Sequence, residues 1–310
     1  MGQAQQAPGA RARAQTRQPR HPRPNPTPGA GRNLPAATAV GLAMLFAVLG
    51  GLLFLPLGFV AVTTTFAVFG VWEIFRALEA NGTRLPIVPV MVGTVAMPFS
   101  AYFGGPESLL FAMLISSVAV LLWRSVESAT GSARSIFAGV FTLAWVPFLI
   151  SFAALPLHVA GGVTPIGPWP GGVVPEGAWQ IVILLLLVVS NDTFGYLVGA
   201  SLGKHPMAPK ISPKKTWEGF AGSIAGAMLI GVLASVFLLG KPWWVGVVLA
   251  VGMVASATAG DLAESMVKRE LGIKDMSSIL PGHGGVMDRL DSIVFASPVA
   301  FMLFVLVSGA

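Results

Sequence analysis

The sequence predicts an all-α, polytopic membrane protein with about nine transmembrane helices. Two features of the composition indicate this class: 54% of the 310 residues are hydrophobic and only 10% are charged. Soluble domains carry roughly 25% charged residues, and the mean hydropathy of +0.76 points the same way. The apolar runs are long and continuous rather than alternating, which disfavours an outer-membrane barrel. The chain has no cysteine, so disulfides, thiolate metal sites and cysteine nucleophiles are excluded.

Apolar segments long enough to cross a bilayer recur along the chain, since one span needs about 20 such residues. We predict spans at roughly 35–55, 57–79, 85–103, 107–124, 135–156, 178–200, 219–240, 243–267 and 290–309. Pro147 is expected to kink the fifth span. The distribution of basic residues sets the orientation. With the N-terminus in the cytoplasm and nine crossings, every lysine and arginine except Lys241 lies on the cytoplasmic side, and the C-terminus lies outside.

The first 34 residues differ in composition from everything that follows. They contain several arginines and no acidic residue, and they are rich in Pro, Gly, Gln and Ala. Such a segment cannot bury enough apolar surface to fold. We therefore predict a disordered, basic cytoplasmic tail over 1–34 and a transmembrane domain over 35–310, placed in the cell (inner) membrane. The tail is expected to contact anionic membrane lipid rather than nucleic acid.

Ionisable residues are sparse in the first five spans. Glu73 and Glu79, beside Arg76, are interpreted as solvated residues at a helix end. The residues of chemical interest lie within 190–292, in three clusters on the predicted cytoplasmic side. The first cluster contains Asp192, which is a functional candidate because a charge inside a span is costly.

Tyr196 follows Asp192 by four residues and shares its helix face. Gly195, Gly199 and Gly203 have the small-xxx-small spacing that lets helices approach closely. The alternative for this cluster is helix packing with one hydrogen-bonded aspartate.

The second cluster is a basic stretch just before a helix, with Ser212, Lys214, Lys215 and Thr216 at its centre. Lysines beside a helix N-terminus suit phosphate binding. A basic loop next to a membrane span can also reflect positive-inside topology alone, so both interpretations stay open here.

The third cluster is the densest in acidic residues. Asp261 and Glu264 share one helix face with Ser265 because they are spaced i, i+3 and i+4, while Asp288 and Asp291 open the last span. Carboxylates that converge at membrane depth would repel one another unless a cation lies between them. Hard oxygen ligands without cysteine or a histidine pair favour Mg²⁺ over Zn²⁺.

A glycine-rich turn at 282–285 contains His283, which could bind a phosphate, orient a carboxylate or cap the turn. Carboxylates for a metal, lysines for phosphate and an apolar bundle for lipid together favour phosphoryl or nucleotidyl transfer on a lipid head group.

One stretch of the third cluster resembles the signature of the phosphatidate cytidylyltransferases. It reads Ser265-x-Val267-Lys268-Arg269-x₄-Lys274-Asp275-x-Ser277-x₂-Leu280-Pro281-x-His283-Gly284-Gly285-x₂-Asp288-Arg289-Leu290-Asp291. The segment 211–219 and the pair Asp192 and Tyr196 also resemble that family. The resemblance covers about 180–295 well, whereas the first five spans match only in being hydrophobic.

The resemblance implies synthesis of CDP-diacylglycerol from CTP and phosphatidic acid with release of pyrophosphate. It also implies Mg²⁺, a second cation such as K⁺, and a homodimer. The metal ligands it implies are Asp261 and Asp288, with Asp291, Glu264 and Asp192 in support. The catalytic candidates are Asp261, Asp288, Asp291, Lys215 and His283. The substrate-binding candidates are Asp192, Tyr196, Ser212, Lys214, Lys215, Thr216, Lys268, Arg269 and Arg289.

Two alternatives compete with this interpretation. One is a related cytidylyltransferase acting on another lipid phosphate, such as an archaeal-type ether lipid, because the motifs do not report on the lipid tails. The other is a secondary transporter, which would also carry intramembrane carboxylates and broken helices. We find no repeat between the two halves, and the polar residues cluster at one face, so the transporter is disfavoured.

Overall fold

The computed structural model describes residues 34–127, 131–158, 165–277, 279 and 284–307. The predicted tail therefore lies almost entirely outside the described residues, as does His283. The helices are α1 (Leu34–Phe54), α2 (Pro56–Ala80), α3 (Ile87–Glu127), α4 (Ser132–Leu143), α5 (Leu149–Ser151), α6 (Glu176–Leu202), α7 (Trp217–Leu238), α8 (Trp243–Glu270) and α9 (Met287–Val307). Two short strands, β1 (Pro206–Ala208) and β2 (Ser212–Thr216), lie between α6 and α7.

Within the described ranges, seven helices are long and apolar enough to cross a membrane. The predicted class of a helical membrane protein is thus confirmed, while the count of about nine spans stays a prediction. The two numbers differ at α1 and at α3. In α1 the segment Gly41–Phe54 is apolar but too short to be counted among the seven, and α3 counts once although two spans were predicted there.

Helix α3 folds back on itself at Gly105. That glycine has φ 71° and ψ −162°, which is outside helical geometry, and Pro106 follows it. A Cβ placed on Gly93 would lie 2.6 Å from Ser116 Oγ. In a straight helix rising 1.5 Å per residue, these two positions would be about 34 Å apart. The two halves of α3 therefore run antiparallel, and they coincide with the predicted spans at 85–103 and 107–124.

The predicted irregularity at Pro147 is present. The residues Ala144–Phe148 form a π-helical turn that contains this proline and joins α4 to α5. A proline removes one backbone donor and clashes with the preceding turn, so a wider turn accommodates it.

The C-terminal half is a bundle of α6, α7, α8 and α9 that depends on small residues. A Cβ on Gly199 would lie 3.5 Å from the Cα atom of Gly219, so α6 and α7 approach almost backbone to backbone. The close approach predicted from the small-xxx-small spacing is therefore confirmed, and it brings the polar ends of both helices together.

The strands β1 and β2 differ from the predicted all-α class. They pair antiparallel, with Pro206 opposite Thr216 and Ala208 opposite Ser212. Pro213 cannot extend a helix at this point, so the basic stretch is extended until Thr216 caps α7. The Thr216 hydroxyl accepts a hydrogen bond from the Gly219 amide at 3.1 Å. The hairpin holds the lysines of β2 above the end of the bundle.

Candidate functional site

A cavity of about 420 Å³ opens where α6, α7 and α8 meet β2 and the start of α9. This volume lies within the range of small-molecule sites. Polar and charged side chains line it, and they include members of all three predicted clusters. These are Asn191, Asp192, Tyr196, Ser212, Lys214, Lys215, Thr216, Ser223, Thr258, Asp261 and Arg289.

The second and third clusters meet inside this cavity in an ion pair. Lys215 Nζ lies 2.6 Å from Asp261 Oδ2, and the side chains are 25% and 28% exposed. The Ser265 hydroxyl donates to Asp261 Oδ1 at 3.3 Å, as the i, i+4 spacing predicts. The pair is accessible enough for a ligand to exchange with either partner.

The first cluster is organised by Asn191, a residue to which the sequence assigned no role. Its amide donates to Asp192 Oδ1 at 2.9 Å. The Thr258 hydroxyl donates to Asn191 Oδ1 at 3.3 Å, and the Ser223 hydroxyl donates to the Asn191 carbonyl at 2.6 Å. Asn191 is only 5% exposed. It therefore holds Asp192 toward the cavity and links α6 to α7 and α8.

Three carboxylates from three helices converge on this region. Asp291, at the start of α9, interacts electrostatically with Asp261 and Asp192. Asp192 in turn interacts with the charges of Lys215 and Arg289. Asp192 and Asp261 thus line the cavity together with Lys215 and Arg289, and Asp291 lies outside this lining but within electrostatic range of both acids.

Lys268 is the centre of a second charged group that does not line the cavity. Its Nζ atom lies 2.7 Å from both Glu264 Oε2 and Asp288 Oδ1. Glu264 is fully buried, and the Lys268 side chain is 13% exposed. The other Asp288 oxygen accepts hydrogen bonds from the Met276 and Gly285 amides at 3.1 and 2.9 Å. This group joins α8 to the loop between α8 and α9 (the signature loop).

The predicted metal ligands are accordingly divided between two places. Glu264 and Asp288 surround Lys268, Asp261 pairs with Lys215, and Asp291 lies near Asp261. Among the described residues, no three His, Asp or Glu side chains are close enough together to hold a metal ion. The metal site remains a prediction.

Glu73 of α2 was interpreted as a solvated helix-end residue, and that interpretation is wrong. The side chain is 1% exposed. Its carboxylate accepts hydrogen bonds from the Ser277 hydroxyl, from the Val286 amide at 2.9 Å and from the Met287 amide at 2.8 Å. It therefore caps α9 and ties the signature loop to the first half of the chain.

Gly285 lies between these two charged groups. A Cβ there would be 2.7 Å from Glu73 Oε2 and 2.9 Å from Asp288 Oδ2, so no side chain fits. The glycine-rich turn was expected to let backbone approach a ligand. At Gly285 the backbone approaches two of the protein's own carboxylates.

The remaining predicted residues have distinct placements. Tyr196 lines the cavity at its exposed edge, with 74% of its surface accessible. Arg269 donates from Nε to the Ile211 carbonyl at 3.3 Å, which ties the end of α8 to the hairpin. Glu218 accepts hydrogen bonds from the Lys204 and His205 amides at 3.1 and 3.2 Å, on the other side of the hairpin.

The fold and the site define a helical membrane protein with a carboxylate- and lysine-lined cavity at one end of its bundle. A sequence profile described as the Cytidylyltransferase family matches residues 35–307. The chain belongs to this family.

Named relatives cover most of the chain. The phosphatidate cytidylyltransferase of Mycobacterium leprae is 37% identical over 89% of each chain. The phosphatidate cytidylyltransferase of Mycobacterium bovis is 36% identical over 89% of this chain and 90% of its own. The enzyme of that name from Brucella abortus is 31% identical over 71% of this chain and 92% of its own.

Proposed function

We propose that this protein transfers the CMP group of CTP to phosphatidic acid, giving CDP-diacylglycerol and pyrophosphate. The observation that carries the proposal is the convergence of Lys214, Lys215 and Arg289 with the carboxylates of Asp192 and Asp261 in one cavity at the end of an apolar bundle. Such a site suits a polyphosphate and a lipid phosphate at once. The relatives at 36–37% identity bear the name of this activity.

The reaction is a displacement at the α-phosphorus of CTP. An oxygen of the phosphatidate phosphate forms a bond to that phosphorus, and the bond to the oxygen bridging the α- and β-phosphates breaks. Pyrophosphate leaves with the electron pair. The attacking phosphate is already anionic near neutral pH, so the protein needs to remove little or no proton. Positioning and charge neutralisation therefore supply the catalysis.

The cationic side chains of the cavity perform that neutralisation. Lys215 is paired with Asp261, and its ammonium can exchange the carboxylate for a phosphate oxygen without a large movement. Lys214 and Arg289 line the same cavity and provide further contacts for phosphates. Asn191 keeps Asp192 oriented toward the substrates.

The donor set of the cavity fits Mg²⁺. Asp192 and Asp261 in the cavity, and Asp291 within electrostatic range of both, offer only carboxylate oxygens, the ligands that Mg²⁺ prefers, and Mg²⁺ commonly completes its shell with water and substrate phosphates. We propose these three as the residues that would hold it, with K⁺ as a second cation. The other predicted ligands, Glu264 and Asp288, are paired with Lys268 instead. Mg²⁺ held by these residues would supply neutralisation of the charge that develops on the phosphoryl oxygens.

We further propose nine crossings of the cell membrane, with the N-terminus and the cavity cytoplasmic and the C-terminus outside. The antiparallel halves of α3 support this count, because each is long enough to cross once. The concentration of basic residues on one side supports the orientation. The family resemblance also leads us to propose a homodimer.

The test uses the purified full-length chain in lipid nanodiscs with α-³²P-labelled CTP. Phosphatidic acid should give labelled CDP-diacylglycerol and one pyrophosphate for each product. Diacylglycerol, which lacks the phosphate, should give neither. A parallel assay with ether-linked phosphatidate measures whether the protein also accepts a different lipid tail. Pyrophosphate release that does not depend on a lipid phosphate would refute the proposal.

A further inference from the structure

A second polar cavity lies in the first half of the protein. It has a volume of about 490 Å³ and lies between the end of α2, the end of α3 and the start of α4. Arg84, Arg124 and Arg134 line it. None of its lining residues belongs to the cavity of the C-terminal bundle. Three guanidinium groups beside one cavity make it a candidate site for an anion.

The cavity carries a net positive charge. Arg124 pairs with Glu127 at 2.5 Å. Among the residues that the structure describes, Arg84 and Arg134 have no acidic partner, and both are exposed. Two positive charges therefore face this space, and guanidinium groups match phosphate oxygens in planar, bidentate geometry.

Two buried hydroxyl groups strengthen the case for a ligand. Thr83 and Ser135 are each only 3% exposed, and both line the cavity. Neither hydroxyl makes a hydrogen bond within the described part of the chain, although buried polar groups nearly always have a partner. Neither oxygen belongs to the buried polar atoms sealed off without a partner. The hydroxyls are therefore available to a group that enters the cavity.

An apolar groove runs along α3 next to the arginines. Leu122, Trp123 and Val126 line it together with Glu127, the ion-pair partner of Arg124, and Val126 is 90% exposed. These residues lie within one helical turn of Arg124. A ligand with both an anionic group and acyl chains would fill the cavity and the groove together, whereas a free anion would use only the first.

We propose that Arg84, Arg124, Arg134, Thr83 and Ser135 bind the phosphate of an anionic phospholipid whose acyl chains lie along α3. The site is separate from the site of cytidylyl transfer and does not depend on it. Phosphatidylglycerol is a suitable probe, because it has no terminal phosphate to accept CMP.

The experiment titrates the full-length chain in detergent with dihexanoyl-phosphatidylglycerol and follows the midpoint of thermal unfolding. A ligand that binds only the folded state raises this midpoint with concentration. Dihexanoyl-phosphatidylcholine has the same tails and no net charge, and inorganic phosphate has no tails. We expect phosphatidylglycerol to stabilise the wild type well above both.

The double variant Arg84→Ala/Arg134→Ala should bind phosphatidylglycerol about 10- to 30-fold more weakly, since each arginine near an anionic lipid contributes about a factor of five. Arg76→Ala is the matched control: it removes an exposed arginine from the same end of α2, outside the cavity. It should change the affinity by less than about twofold because of ionic screening. Lys214→Ala, in the other cavity, should also retain the binding.

Ser135→Ala adds a test that does not alter charge. It should weaken the binding yet leave the unfolding midpoint without lipid unchanged, because the hydroxyl has no partner among the described residues. Equal losses in the double variant and in Arg76→Ala would overturn the proposal, as would a loss in Lys214→Ala. Equal stabilisation by inorganic phosphate would overturn the assignment to a lipid.

Discussion

Replacing Glu73 by glutamine should impair catalysis from a position in α2 that is far along the chain from every signature residue. The carboxylate accepts hydrogen bonds from the Ser277 hydroxyl and from the Val286 and Met287 amides. Asp288 and Arg289 follow directly after these amides. The capped turn therefore sets where both of those side chains point.

The magnitude follows from the bonds that are lost. Glutamine keeps one acceptor oxygen but places an NH₂ group against one of the donors of the loop. At least one hydrogen bond to a charged group is lost, which costs about 1.5–3 kcal/mol of unfolding free energy. Glu73→Ala removes all the bonds and leaves the donors buried without a partner, at about 1–3 kcal/mol for each unsatisfied donor, so it should cost more than Glu73→Gln. A misplacement of about 1 Å at a reacting group can lower the rate on the order of 10²-fold.

The assay measures kcat and KM for CTP together with the unfolding midpoint of the same preparations. We expect Glu73→Gln to lower kcat by about tenfold or more at temperatures where the protein stays folded. Glu79→Gln is the matched control, because Glu79 is exposed on the same helix. A lowered midpoint with unchanged kcat would refute the positioning role. Wild-type values for both quantities in Glu73→Gln and Glu73→Ala would refute the capping itself.

Four further outcomes are expected. Asp261→Asn should lower kcat by about 10²–10³-fold with little loss of stability. Asp288→Asn should lose both activity and stability, because it breaks the contact with the half-buried Lys268; Mg²⁺ titrations and melting curves of the two variants distinguish these cases. Lys214→Ala should raise KM for CTP or phosphatidate while the melting curve stays unchanged. Unaltered kinetics would mean that this basic segment only sets the orientation in the membrane. Deletion of residues 2–30 should preserve most of the activity in neutral membranes, and loss of activity in a correctly inserted deletion would contradict that. A C-terminal reporter that is active only in the cytoplasm should be silent, and full activity would contradict nine crossings.

Local chemistry explains why the sequence by itself determined the class of this protein. Apolar length and low charge predict membrane helices without any knowledge of partners. Helical spacing is also local, so the hydrogen bond from Ser265 to Asp261 and the close contact at Gly199 could both be predicted. The clusters of the C-terminal half were identified for the same reason, since each is continuous in sequence.

Only the tertiary structure decided which of those charges meet. Lys215 pairs with Asp261, and Lys268 bridges to Asp288 on the next helix; no helical spacing predicts either contact. Glu73 lies more than 200 residues before the loop that it holds. In the sequence, Glu73 is a single acidic residue near an arginine, and nothing local distinguishes it from a solvated residue at a helix end. Its role depends on α2 packing against α9, because a buried carboxylate is stable only where other elements supply its donors.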